Sequence, residues 1–139
     1  MRTRYRERVP FALALTLVLA LLAIFQIALV FGAPLGRFAW GGQHRVLPAR
    51  LRVGSAVSVV IYAFIVLVAW DRVGAIDVFP DAFAEVAMWV IFGYFVLGIP
   101  LNAISRSKPE RLVMVPVTIV LAVLSLFIAL GYGELAIAV

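Results

Sequence analysis

The chain has 139 residues, 65% of them hydrophobic and only 14% charged, with a formal net charge of +5. A soluble domain of this size has too little interior to hide that much apolar surface, so lipid is the expected solvent. The absence of cysteine removes disulfides, thiolate metal sites and thiol redox chemistry, and the basic residues are not interleaved with aromatics as a nucleic-acid surface requires, so no nucleic-acid partner is expected.

Arg2, Arg4, Arg6 and Arg8 open the sequence. The apolar run at 10–31 has about the 20 residues that cross a hydrocarbon core. It exceeds the roughly 7–15 residues of a cleavable signal's apolar region and ends on Gly32-Ala33-Pro34 without a clear small-x-small exit, so a retained helix is expected. Pro10 suits a first turn. Loop one, 32–52, is long, glycine-rich and basic. The second span, 53–70, is somewhat short and gains length if Arg52 snorkels. Loop two, 71–85, carries Asp71, Asp77, Asp81 and Glu85 against Arg72. The third span, 86–104, is interrupted by Pro100, and loop three, 105–111, is short and basic. The fourth span, 112–130, has Pro116 near its start. Trp40, Trp70 and Trp89 fall near span ends, where interfacial aromatics sit. The pattern predicts one all-α domain over 1–139, a four-helix transmembrane bundle.

An internal repeat is expected within it. The first and third spans run out through Gly32-Ala33-Pro34-Leu35 and Gly98-Ile99-Pro100-Leu101. The second and fourth are entered through Pro48-Ala49-Arg50-Leu51 and Pro109-Glu110-Arg111-Leu112. Each half then reads as a helical hairpin in the same orientation, as in parallel-repeat transporters; chance matching of common residues is the alternative. Gly and Pro weaken helices by entropy and by loss of a donor. The first pair is expected to end a helix, and Pro100 to sit inside one that continues.

Orientation is nearly balanced under the positive-inside rule. The N-terminal arginines with Arg72 place five cations on one side; Arg37, Arg45, Arg50, Arg52, Arg106, Lys108 and Arg111 place seven on the other. Both basic loops share one side in either case.

Polar residues within spans are costly in hydrocarbon and mark packing or function. They are Gln26, Ser55, Ser58, Asn102 and Thr118, with Tyr62 and Tyr94 deeper. An up-down bundle puts them all in the half beneath the basic loops. Ser55, Ser58 and Thr118 are read first as helix glue, with Gly54 and Ser58 a small-x-x-x-small pair; Gln26 and Asn102 are equally read as site residues. His44, the only histidine, lacks the neighbours a metal site or general base needs. Gly41-Gly42 is more readily a turn than an anion nest. Ser105-Arg106-Ser107-Lys108 reads as an anion contact or as a solvated loop. No span has an acidic residue at its middle, which weighs against proton-coupled export. No catalytic, metal or cofactor-binding residue is expected, and the chain is not expected to be an enzyme.

Loop one, from Gly32-Ala33-Pro34-Leu35-Gly36 through Trp40-Gly41-Gly42 and His44 to Leu47-Pro48, resembles a pattern in small bacterial four-helix membrane proteins of unknown function. The stretch from Asn102 to Arg111 resembles the matching segment of their second half. The resemblance implies a multi-pass protein of the bacterial inner membrane and carries over no catalytic residue. The leading expectation is a non-enzymatic membrane module that binds anionic lipid or a partner protein through the basic loops. An oligomeric channel or carrier is the alternative, for which a homo-oligomer is needed. Arginine's planar fork suits phosphate, and arginine at a helix start opposes the helix dipole. Arg50 and Arg111 are therefore the candidate anion or lipid site, with Gln26 and Asn102 as uncharged neighbours and Arg45 and His44 nearby in loop one.

Overall fold

The computed structural model describes the backbone of residues 2–131 and the side chains of residues 9–131. Arg2, Arg4, Arg6 and Arg8, which enter the orientation count, lie outside the described side chains. The elements are α1 (Arg2–Val30), α2 (Ala49–Arg72), α3 (Asp81–Ala103) and α4 (Lys108–Leu130), with two short 3-10 turns in loop one and no strand among the described residues. All four helices carry a stretch long and apolar enough to cross a membrane. The 24 residues of α2 reach about 36 Å at about 1.5 Å per residue, against a hydrocarbon core of about 30 Å. The chain is a four-helix transmembrane bundle.

All four helices begin earlier than the apolar runs predict: α1 starts at Arg2, which puts Pro10 inside the helix rather than in its first turn. α2 starts at Ala49, α3 at Asp81 and α4 at Lys108. Hydropathy registers only the part of a helix that meets hydrocarbon, whereas the start is set by Pro48, Pro80 and Ser107 at the N-caps. Asp81 and Glu85, expected in loop two, thus belong to α3, where Asp81 favours the positive end of the helix dipole.

α1 packs against α2 and α3 against α4, and the two hairpins close on each other through α1–α4 and α2–α3 contacts. The repeated tetrapeptides occupy different local structures. Gly32 takes φ +90°, with Gly32 N–H bonded to Leu29 O and Ala33 N–H to Ala28 O. This is a Schellman stop, which needs a left-handed residue. Gly98 and Pro100 instead lie inside α3. Pro48 is the N-cap of α2, while Pro109 is the second residue of α4.

The main core lies toward loop two and includes Leu15 and Leu19 of α1, Ile65 and Val68 of α2, Met88 and Ile91 of α3, and Leu121 and Ile128 of α4. A second, small cluster of Leu29, Ala39 and Leu47 sits under loop one. Large apolar side chains face outward, among them Leu21 at 69% and Val90 at 66% exposure. Water would penalise such a surface, and lipid does not. Inside, Ala12, Ser55, Ala69, Ala122 and Ser125 are buried, small enough to let helices approach closely. Along α1 the main core ends at Leu19 and the small cluster begins at Leu29; the turns between them border the site.

Candidate functional site

Loop one forms a roof on this space. Gly36 N–H donates to Arg45 O at 2.9 Å, drawing the loop back on itself, and a Cβ at Gly36 would stand 1.8 Å from the His44 carbonyl oxygen. Trp40 adopts φ 53°, a conformation rare for a bulky residue. Its indole lies against Gly54, where an added Cβ would come within 2.8 Å of the ring, and its Nε1–H donates to Ser55 Oγ at 3.1 Å. Gly41 N–H donates to Glu110 Oε2 at 3.1 Å, and Ser105 Oγ–H donates to the same oxygen. Gly42, at φ +71°, packs so closely on loop three that a Cβ would meet Ser107 Cβ at 2.5 Å. Ser107 Oγ–H donates to Arg37 O and accepts from Glu110 N–H as the α4 N-cap. Trp40-Gly41-Gly42 is thus a clasp that fastens loop one to α2, to Glu110 and to loop three.

Beneath it lies a cavity of about 440 Å³. Gln26 of α1, Ser58 and Tyr62 of α2, Tyr94 and Asn102 of α3, and Thr118 of α4 line it, with Trp40 and Glu110 contributing from the roof side. Most polar groups in the wall are engaged. Asn102 Nδ2–H donates to Thr118 Oγ1 at 2.9 Å, Thr118 Oγ1–H to Met114 O at 2.6 Å and Ser58 Oγ–H to Gly54 O at 3.1 Å. The Gln26 amide lies beside the Tyr62 hydroxyl, and its Oε1 is buried and without a hydrogen-bond partner. A second, apolar groove of about 580 Å³ runs between α1 and α4 under Leu35 and Phe38. It shares Leu22, Phe25, Phe38, Met114 and Val117 with the polar cavity.

The candidate site residues divide between two places. Gln26 and Asn102 line the cavity. Arg45 and Arg50 are exposed, and His44 and Arg111 are half-buried; none of these four lines it. Arg45 and His44 act on the roof through their carbonyl groups. Arg111 Nη1–H donates to Ser105 O at 2.6 Å, which offsets its unfavourable place near a helix start. The hydroxyls of Ser105 and Ser107, read as anion contacts, are used on Glu110 and Arg37 O.

Glu110 is the residue that sequence reasoning missed. It is 8% exposed, and the signal for it is the Ser107-x-x-Glu110 spacing of a capping box; here the carboxylate turns to Gly41 and Ser105. Thr16 and Ser125, in the other half of the bundle, were missed as well. Trp70 Nε1–H donates to Thr16 Oγ1 at 2.8 Å, and Ser125 Oγ is buried without a partner.

Compared with protein-family models, with curated proteins and with solved structures, the chain matches none.

Proposed function

We propose that this chain is a non-enzymatic module of a bacterial inner membrane, of the small four-helix kind that loop one resembles, and that it binds lipid through its basic-loop face. The observation that carries the reading is the convergence of amide and hydroxyl groups from all four helices on one cavity directly beneath the basic loops. Exposed Arg37, Arg45, Arg50, Arg106 and Lys108 lie on the loops and helix starts of that side, and cations at this level attract lipid phosphate. Amides, hydroxyls and a single carboxylate hold a ligand by hydrogen bonds. The main core closes the bundle toward loop two, which favours binding over passage; a carrier or channel would need a second copy to widen the path.

Native mass spectrometry in mixed lipids tests this. A basic residue near an anionic surface contributes about 1 kcal/mol, so the double variant Arg50→Gln, Arg111→Gln is expected to weaken anionic-lipid retention by roughly one to two powers of ten. Arg4→Gln with Arg6→Gln is expected to lose less. Equal losses would reduce the loops to topology charges, and solute flux in liposomes without retained lipid would favour the carrier.

A further inference from the structure

We infer that the occupant is a single phospholipid with a primary ammonium head, its ammonium in the polar cavity and one acyl chain in the groove between α1 and α4. The inference rests on the lipid-binding reading above and adds the identity and pose of the lipid.

Three donors of the wall are used on neighbouring groups: Asn102 Nδ2–H on Thr118, Thr118 Oγ1–H on Met114 O and Ser58 Oγ–H on Gly54 O. Acceptors remain. Gln26 Oε1 is buried and accepts no hydrogen bond, and an unmade hydrogen bond of this kind is costly. Glu110 lines the same cavity, and its recorded donors, Gly41 N–H and Ser105 Oγ–H, are both neutral. A ligand that satisfies this wall brings N–H groups and positive charge, and a primary ammonium supplies three donors.

The carboxylate lines the cavity, while Arg45 and Arg50 lie outside it and are exposed. That order is the complement of an ammonium tethered to a phosphate, with the ammonium inward and the phosphate at the rim. The groove suits an acyl chain. Its walls are apolar, and Leu21 and Val113 on it are 69% and 44% exposed, so a chain enters from the surrounding lipid. Because cavity and groove share five wall residues, head and tail of one molecule reach both. The 440 Å³ of the cavity falls within the roughly 300–1,000 Å³ of ordinary ligand sites.

The experiment reconstitutes the full chain in nanodiscs holding phosphatidylethanolamine, phosphatidylcholine and phosphatidylglycerol with matched acyl chains, and reads retained lipid by native mass spectrometry. Phosphatidylcholine keeps the phosphate and the positive charge but has no N–H donor. Phosphatidylethanolamine is expected to be retained over phosphatidylcholine by about tenfold or more, as for one charge-assisted hydrogen bond. Glu110→Gln keeps an acceptor for Gly41 and Ser105, and Gln26→Leu leaves the roof untouched; each is expected to cut the preference to about threefold or less. Val113→Trp, which fills the groove from its lipid side, is expected to lower retention of both lipids with the preference intact. Equal retention of the two zwitterionic lipids, or a stronger preference for phosphatidylglycerol, overturns this inference and leaves the lipid-binding reading standing. Unchanged retention in Val113→Trp overturns the tail placement. Retention of no lipid overturns both.

Discussion

Gly41 and Gly42 stand side by side with left-handed φ values of +77° and +71°, but their surroundings differ. A Cβ at Gly41 would meet nothing within 4 Å, whereas one at Gly42 would press on Ser107 at 2.5 Å and lie 3.2 Å from the Arg37 carbonyl oxygen. Alanine at position 41 therefore costs only the conformational term, about 1–2 kcal/mol. At position 42 overpacking adds about 1–3 kcal/mol, because the roof must lift from loop three. Unfolding in mixed micelles is expected to rank Gly42→Ala well below Gly41→Ala in stability. Equal midpoints would mean that the roof does not rest on Ser107. The Gly-Gly pair was legible in the sequence as a turn; that one glycine faces open space and the other a serine was not, since nothing local specifies what loop three brings to it.

The connection from α2 to α3 depends on one carboxylate. Asp71, in the last turn of α2 and 7% exposed, accepts from Val78 N–H at 2.7 Å and Phe79 N–H at 2.8 Å through Oδ2. It thereby fixes the residues that lead into α3. Arg72, beside it in sequence, donates from Nη2 to Ala129 O at 3.1 Å and holds the end of α4. Charged acceptors of backbone N–H groups contribute about 1.5–3 kcal/mol, so Asp71→Ala is expected to destabilise the bundle by that order. Asp71→Asn retains an acceptor oxygen and is expected to lose less. Unfolding midpoints of the two variants decide it, and an Asp71→Ala protein as stable as the parent would show the connection to be held elsewhere. In the sequence Asp71 is one of four acidic residues around loop two, and only the fold of that connection separates it from exposed Asp77.

At the scale of the whole molecule, two spans separate loop one from loop three, and a single span separates each of them from loop two. The lack of native cysteine lets single cysteines report on sidedness. Gln43→Cys and Lys108→Cys, both at exposed positions, are expected to react with an impermeant maleimide from the same face, and Asp77→Cys only from the opposite one. Labelling of Gln43→Cys and Asp77→Cys from one side would remove a span. The same experiment in oriented vesicles assigns the face that the positive-inside count of five against seven leaves nearly balanced.

Number of spans, all-α class and the shared side of the basic loops follow from composition and hydropathy alone, because hydrocarbon leaves the backbone no satisfied alternative to the helix over about 20 residues. The depth of the polar residues followed in the same way: Gln26, Asn102 and Thr118 had to fall in one half of an up-down bundle. What they enclose was decided by tertiary structure. The helix faces are apolar all round, so periodicity does not say which side turns inward. The roof depends on a left-handed Trp40 meeting Gly54, which lies 14 positions further along the sequence. Glu110 carries no marker in its own segment beyond a capping spacing, because its burial is conferred by Gly41 from another loop. Contacts between distant segments divide cations from acceptors in this protein, with arginine outside the cavity and carboxylate and amide in its wall.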